Sequence, residues 1–437
     1  MNSSALSLEQ TPPLAVPLIF MLTAPFFAML AALLAITHPE ALSNRWEPAM
    51  IAMTHLLTLG FITMVMVGAL QQLLPVLAGV QLSNPLCLSR VVYFGLATGT
   101  LVLCSGFLAM SPVLIGAGAS LLGVTFLWLI ARLLLAIIQS GASILVTRGM
   151  KLALFSFLVT MLLGLYLAAG YALPQVAMQR SLAALHIGWG LFGWVGLLVF
   201  TISYQVVPMF QVTPKYPDLM IRWLAVAIFS SLVLISFTRV TAFLPGGTGD
   251  LLVLAFECVI AAGFALYALM TIRLQQQRRR RVADVTMDYW RFGLTCLLLA
   301  LMVIALAEGA VMSFPGIDLL IGTLMIVGFT MSLITGMLYK IIPFLVWLHL
   351  TNVIDISTRW QKKIPNMKKI VPDKHVRFQF RLHLIAVGLI LISLLEKQWV
   401  HAAAITFLLS NLYLAFNLIR GAAVYVRVVK EAHHETR

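Results

Sequence analysis

The chain has 437 residues, 61% of them hydrophobic and only 10% charged, with a net charge of +14. A soluble domain carries about 25% charged residues, and here the apolar residues fall in blocks long enough to cross a hydrocarbon core of about 30 Å as helices. Lipid offers the backbone no hydrogen-bond partner and so admits only helices or closed barrels. The alternation of a barrel is absent, and a soluble enzyme is excluded.

In chain order the blocks lie at roughly 14–37, 48–79, 90–110, 112–138, 150–173, 182–210, 220–244, 249–273, 288–313, 317–348, 379–395 and 399–425. They predict an all-α integral membrane protein of about twelve transmembrane helices, a single polytopic domain over 1–437. The opening stretch MNSSALSLEQTPPLAVP has no Lys or Arg, unlike a cleaved signal peptide, so the first block is expected to be an ordinary helix. Turn chemistry separates blocks at Ser111-Pro112, at Pro245-Gly246-Gly247-Thr248-Gly249 and at Pro315-Gly316. Cys87, Cys104, Cys258 and Cys296 are scattered, with no CxxC pair, and suggest neither a disulfide framework nor a zinc site.

The positions of the basic residues argue against nucleic acid as a partner and for the lipid bilayer. With both termini in the cytoplasm, about 25 of the 29 Lys and Arg face inward, as topology signals do. Only Arg45, Arg180, Arg239 and Lys397 fall outside. The inward runs include Arg278 to Arg281 and a basic loop over 351–378, and they suit anionic lipid or a docking partner. The expected location is a bacterial-type inner membrane.

Three blocks resemble one another. The second reads HLLTLGFITMVMVGALQQLLPVLAG from His55, the sixth HIGWGLFGWVGLLVFTISYQVVPMFQ from His186, the tenth IGTLMIVGFTMSLITGMLYKIIPFLVW from Ile321. Each is a glycine-rich run closed by a polar or aromatic–polar pair, two apolar residues and a proline. The pairs are Gln71-Gln72, Tyr204-Gln205 and Tyr339-Lys340, and the prolines Pro75, Pro208 and Pro343 are spaced by 133 and 135 residues. Each proline falls in the second helix of a four-helix unit, roughly 14–138, 150–273 and 288–425. An even number of helices per unit makes the repeats parallel, around a pseudo-threefold axis along the membrane normal. The glycines admit close helix packing or leave room for a flat cofactor.

In this plan the chain resembles the catalytic subunit of the haem-copper oxidases and nitric oxide reductases. His186, Gly193-Trp194-Val195-Gly196 and Tyr204-Gln205-Val206-Val207-Pro208 are similar to that family's sixth and tenth helices, and the His55 stretch to its second. His55, Gly60-Phe61, Pro75 and Gly79 are also similar to the NnrS family, a twelve-helix group linked to nitric oxide, haem and copper. The resemblance implies haem or copper as cofactor. A working oxidase needs six histidines. Here His55 and His186 match two, the pair on the seventh helix is missing, and the tenth helix carries only His349, at its far end. The resemblance thus implies a relative that is not a terminal oxidase, and no residue is assigned a catalytic role.

Several residues could carry chemistry. His55 and His186 begin parallel helices about two residues apart in depth, roughly 3 Å at helical rise. They are candidate haem ligands or histidines hydrogen-bonded at the interface. Met50, Met53 and His55, with Met178 and His38 nearby, form a soft set suited to copper(I) or plain apolar filler. Glu257 and Glu308 interrupt apolar surroundings, paired, protonated or on a proton path. Gln71, Gln72, Tyr204, Gln205 and Tyr339 are expected near the inner ends, bonding between helices or lining a polar vestibule, and Lys340 reaches for the interface. Trp46, Trp189 and Trp290 suit aromatic belts or packing against a haem. The leading expectation is a haem-binding protein of respiratory or nitric-oxide-linked redox physiology. The alternatives are a permease for copper, haem or a small solute, and a non-catalytic membrane partner of respiratory-complex subunits or a small redox protein.

Overall fold

The structure, a computed structural model, describes residues 11–141, 144–241, 247–279, 282, 284–353 and 364–435. Arg280, Arg281, Pro245, Gly246, Arg359 and the first part of the basic loop lie outside the described residues. Among the described residues there are helices and turns only, and twelve helices are long and apolar enough to cross a membrane. They are α1 (Ala15–Thr37), α2 (Pro48–Ala78), α3 (Pro85–Leu108), α4 (Pro112–Gln139), α5 (Ile144–Ala172), α6 (Leu182–Gln211), α7 (Asp218–Thr241), α8 (Gly247–Gln276), α9 (Val285–Glu308), α10 (Ile317–Val353), α11 (Asp373–Leu395) and α12 (Val400–Glu435).

Local chemistry sets the ends. Pro48, Pro85 and Pro112 open α2, α3 and α4, where a missing N–H is no loss and φ is already helical. Ser111 and Asp284 cap α4 and α9 by accepting from the N–H of Leu114 and Thr286. Gly79 ends α2 in the left-handed region at φ 65°. Bulky apolar side chains stay exposed along the outer faces, for example Val113, Val124 and Phe94 at 78%, 71% and 62%. Such faces are unfavourable in water and suit lipid, so the bilayer is the environment of these helices.

Sequential helices pack side by side, and α1 also packs along α12. Of the twelve, α2, α6 and α10 are among the most buried. Each of the three contains an eight-residue π-helical segment: Leu56–Thr63, Trp189–Gly196 and Leu324–Met331. With prolines at Pro75, Pro208 and Pro343, every segment opens 19 residues before its proline. The fifth residue of each is glycine, and a side chain of the preceding helix fills the space a Cβ would need. At Gly60 a Cβ would overlap the Phe27 ring, at Gly193 it would lie 2.7 Å from Ser156 Cβ, and at Gly328 2.9 Å from Cys296 Cβ.

Candidate functional site

A cavity of about 990 Å³ opens at the end of the bundle where α2, α6 and α10 begin, and all twelve helices contribute to its lining. The lining is mostly apolar, from residues such as Ala31, Leu103, Phe126 and Val195. The size lies at the upper end of the range for small-molecule sites, about 300–1,000 Å³.

His55 and His186 both face this cavity. His55 directly precedes the π-helical segment of α2, and His186 stands three residues before that of α6. Their ring centroids are 6.4 Å apart with an interplanar angle of 27°. His55 Nδ1 lies 2.8 Å from the Ile51 carbonyl one turn back, and His186 Nδ1 lies 3.0 Å from the Thr160 carbonyl on α5. A carbonyl can only accept, so in each ring Nδ1 carries the proton and donates it. That leaves Nε2 of the neutral ring with a free lone pair, and neither Nε2 has a protein hydrogen-bond partner among the described residues. A backbone carbonyl behind Nδ1 is how proteins orient an imidazole for a metal.

The walls hold the rings in place. Phe107 stacks on His55 at 5.8 Å and is itself met edge-on by Tyr171 at 5.4 Å. Gly164 lies against His186, where a Cβ would come within 2.9 Å of Cε1. Deeper in the cavity, Trp194 stacks on Phe157 at 4.3 Å and donates its indole N–H to Thr63 Oγ1 at 3.2 Å, tying α6 to α2.

The mouth is charged. The guanidiniums of Arg45 and Arg180 lie 4.8 and 5.1 Å from the ring centre of Trp46. Arg45 also pairs with Asp318 at 3.3 Å, and Arg239 with Glu257 at 3.7 Å. Of the four basic residues that the sequence sets apart from the inward-facing set, Arg45 and Arg239 line this cavity, and Arg180 lies against Trp46, which lines it. Their exception to the charge pattern was the signal for the mouth, and the sequence alone gave it no location.

The other expected residues divide. Met50, Met53 and Met178 line the cavity with His55, whereas His38 bonds Glu40 at 3.2 Å and is not in the lining. Glu257 and Glu308 also line it. Neither is isolated in apolar surroundings: Glu257 is half-buried beside Arg239, and Glu308 is exposed as the last residue of α9. The polar pairs near the prolines lie elsewhere and do not form one cluster. Tyr339 accepts from Asn417 Nδ2 at 3.0 Å, and Lys340 pairs with Asp284 at 2.7 Å. Gln71 donates to its own helix at the Val67 carbonyl, Tyr204 packs on Tyr216, and Gln205 is exposed. Gln71 Oε1, Gln72 Oε1 and the Tyr204 hydroxyl are buried with no hydrogen-bond partner among the described residues.

Among the described residues no three His, Cys, Asp or Glu side chains converge to hold a bare metal ion. Two imidazoles with free Nε2 atoms fit a cofactor that brings most of its own ligands. No protein-family profile matches the sequence, and no curated protein matches it either.

Proposed function

We propose that this is a haem-binding protein of a bacterial-type inner membrane, related in fold to the haem-copper oxidases and the NnrS family, that serves respiratory or nitric-oxide-linked redox chemistry without being a terminal oxidase. The observation that carries the reading is the imidazole pair. Two histidines from different helices face one large apolar cavity, each with Nδ1 held by a carbonyl and Nε2 unpartnered. His55 and His186 hold the iron. Aromatic and aliphatic walls around Phe107, Phe157 and Trp194 bury the ring and exclude water. Bound there, haem supplies a one-electron redox couple. Three parallel four-helix units with both termini inside are part of the same reading. The common spacing of π segment, glycine and proline in α2, α6 and α10 supports the units, and the Lys and Arg distribution supports the orientation.

The test is the visible spectrum of detergent-purified protein, oxidised and dithionite-reduced, with a haem extraction assay. A reduced α-band at about one haem per chain is expected, lost in His55→Ala and His186→Ala. A colourless protein from haem-replete cells, or spectra unchanged in both variants, refutes the assignment. A reporter fused after Arg281 should read cytoplasmic, and a periplasmic result overturns the orientation.

A further inference from the structure

We propose that Arg180 and Arg45, stacked on Trp46 at the cavity mouth, recognise the carboxylate edge of the flat ligand that the two histidines hold. The proposal rests on the haem reading and adds the element that fixes which edge faces outward. Each histidine has an arginine on its mouth side: Arg45 stands ten residues before His55, and Arg180 six before His186. From Pro48, the start of α2, to His55 the helix rises about 10 Å, and from Leu182, the start of α6, to His186 about 6 Å, so the backbones of Arg45 and Arg180 precede the helix ends that carry the imidazoles.

Three guanidiniums, Arg45, Arg180 and Arg239, stand at or beside the cavity with three carboxylates, Asp318, Glu257 and Glu308, and the charges are unequally paired. Arg239 faces Glu257, and Arg45 faces Asp318. Arg180 has no carboxylate partner among the described residues. It is exposed, yet its guanidinium lies by the Trp46 indole 5.1 Å from the ring centre. Stacking occupies the face of a guanidinium and leaves its N–H edge free, the edge that matches a carboxylate in bidentate fashion. The Arg45–Asp318 pair is open to solvent, with 37% and 55% of the side chains exposed. Such a pair is weak and exchanges readily for a second carboxylate. Trp46 is itself held in place, its backbone N–H bonded to Asn44 Oδ1 at 3.0 Å. An apolar disc with carboxylates on one edge meets apolar walls inside and guanidiniums at the opening, and the reverse orientation would bury the carboxylates against those walls.

The test uses full-length protein stripped of haem in neutral phosphatidylcholine nanodiscs, titrated with haemin and with haemin dimethyl ester, which has the same ring and no free carboxylates. Wild type should bind haemin more tightly than the ester. Arg180→Gln should lose about tenfold for haemin and nothing for the ester, and Arg180→Lys should recover part of the loss. Wild-type haemin affinity in Arg180→Gln, or an equal loss for both ligands, overturns the site while leaving the haem reading intact. If neither ligand binds wild type, the haem reading fails and the site falls with it. A tenfold loss that appears only when phosphatidylglycerol is added would show that the guanidiniums read lipid headgroups, and also overturns the proposal.

Discussion

Gly164→Ala displaces a histidine without removing it, which separates ligand geometry from ligand identity. An alanine Cβ at this position would lie 2.9 Å from His186 Cε1, 3.4 Å from Nδ1 and 3.9 Å from Nε2. Carbon contacts relax at about 3.5–4.0 Å, so the imidazole must retreat by about 0.6–1 Å. The ring is held by one hydrogen bond, Nδ1 to the Thr160 carbonyl at 3.0 Å. A shift of that size directed away from the carbonyl stretches the bond beyond its useful range, about 2.7–3.2 Å. Losing it costs about 0.5–1.5 kcal/mol, and the overpacking adds about 1–3 kcal/mol. At 1.4 kcal/mol per decade, haemin affinity should fall about ten- to a thousandfold while His186 remains in the sequence. The assay is haemin titration by absorbance in detergent, with thermal denaturation of the haem-free protein as a fold control. Gly322→Ala supplies the comparison: it lines the same cavity, but nothing lies within 4 Å of its Cβ position. It should bind as wild type does. Equal affinities in Gly164→Ala and Gly322→Ala would refute the inference that His186 is held in a fixed place.

Two further predictions concern the scaffold. Gly106→Ala places a Cβ 2.6 Å from the backbone nitrogen of Ile115 and 2.9 Å from the Leu114 carbonyl carbon. Backbone cannot step aside as a side chain can, so α3 and α4 must separate, at a cost of about 1–3 kcal/mol. This should appear as a lower thermal midpoint in detergent, with Gly388→Ala, which has open space around it, unchanged. The Lys340–Asp284 pair, at 2.7 Å with 26% and 19% side-chain exposure, should show coupling in a double-mutant cycle. Lys340→Met leaves a partly buried carboxylate unpaired and should cost about 1–2 kcal/mol. The double variant Lys340→Met/Asp284→Asn should be more stable than the sum of the single losses, and strict additivity would show that the pair contributes nothing.

The membrane class and the helix positions were legible because apolarity over some 20 residues is a bulk property that needs no knowledge of contacts. Apolar block and helix differ in extent where helix and hydrocarbon part company. The twelfth block was expected to stop near 425, yet α12 continues to Glu435, and α11 begins at Asp373, six residues before the expected 379. Residues such as Lys374, Arg377, Arg427 and Lys430 are poor in lipid but good in a helix, so apolarity marks where oil ends and not where the helix does. The ninth apolar block runs to 313, but α9 ends at Glu308, and Ala310 then takes a left-handed turn at φ 55°. The similar depth of His55 and His186 is readable from the proline alignment, but their approach to 6.4 Å is not. The mouth was not, because Arg45 and Trp46, Arg180, and Asp318 come from two connections and the first turn of α10 with no sequence relation, and only folding brings them together.

The π-helical segments explain why the histidine face could not be extrapolated from the prolines by a 3.6-residue period. An i→i+5 ladder inserts an extra residue in the turn, so side chains before it are rotated relative to those after it. Composition carries no trace of this, since an apolar run reads alike in either form. The physical traces lie in the third segment, where the Thr330 and Ser332 hydroxyls bond to carbonyls five residues back, at Met325 and Val327, and in the glycine at the fifth position of all three. That glycine lets Phe27, Ser156 or Cys296 enter beside the widened turn and locks it against the neighbouring helix. The segments therefore separate two layers of the bundle. On one side lie His55, His186 and the cavity, and on the other the polar pairs beside Pro75, Pro208 and Pro343. The position twenty residues before each proline is His55 in α2, Gly188 in α6 and Thr323 in α10, with His186 two residues further up in α6. The same local scaffold occurs three times, but imidazoles are mounted on only two of them. Around the cavity α10 contributes Ile321, Met325 and Val327, so where α2 and α6 present imidazoles α10 presents apolar side chains.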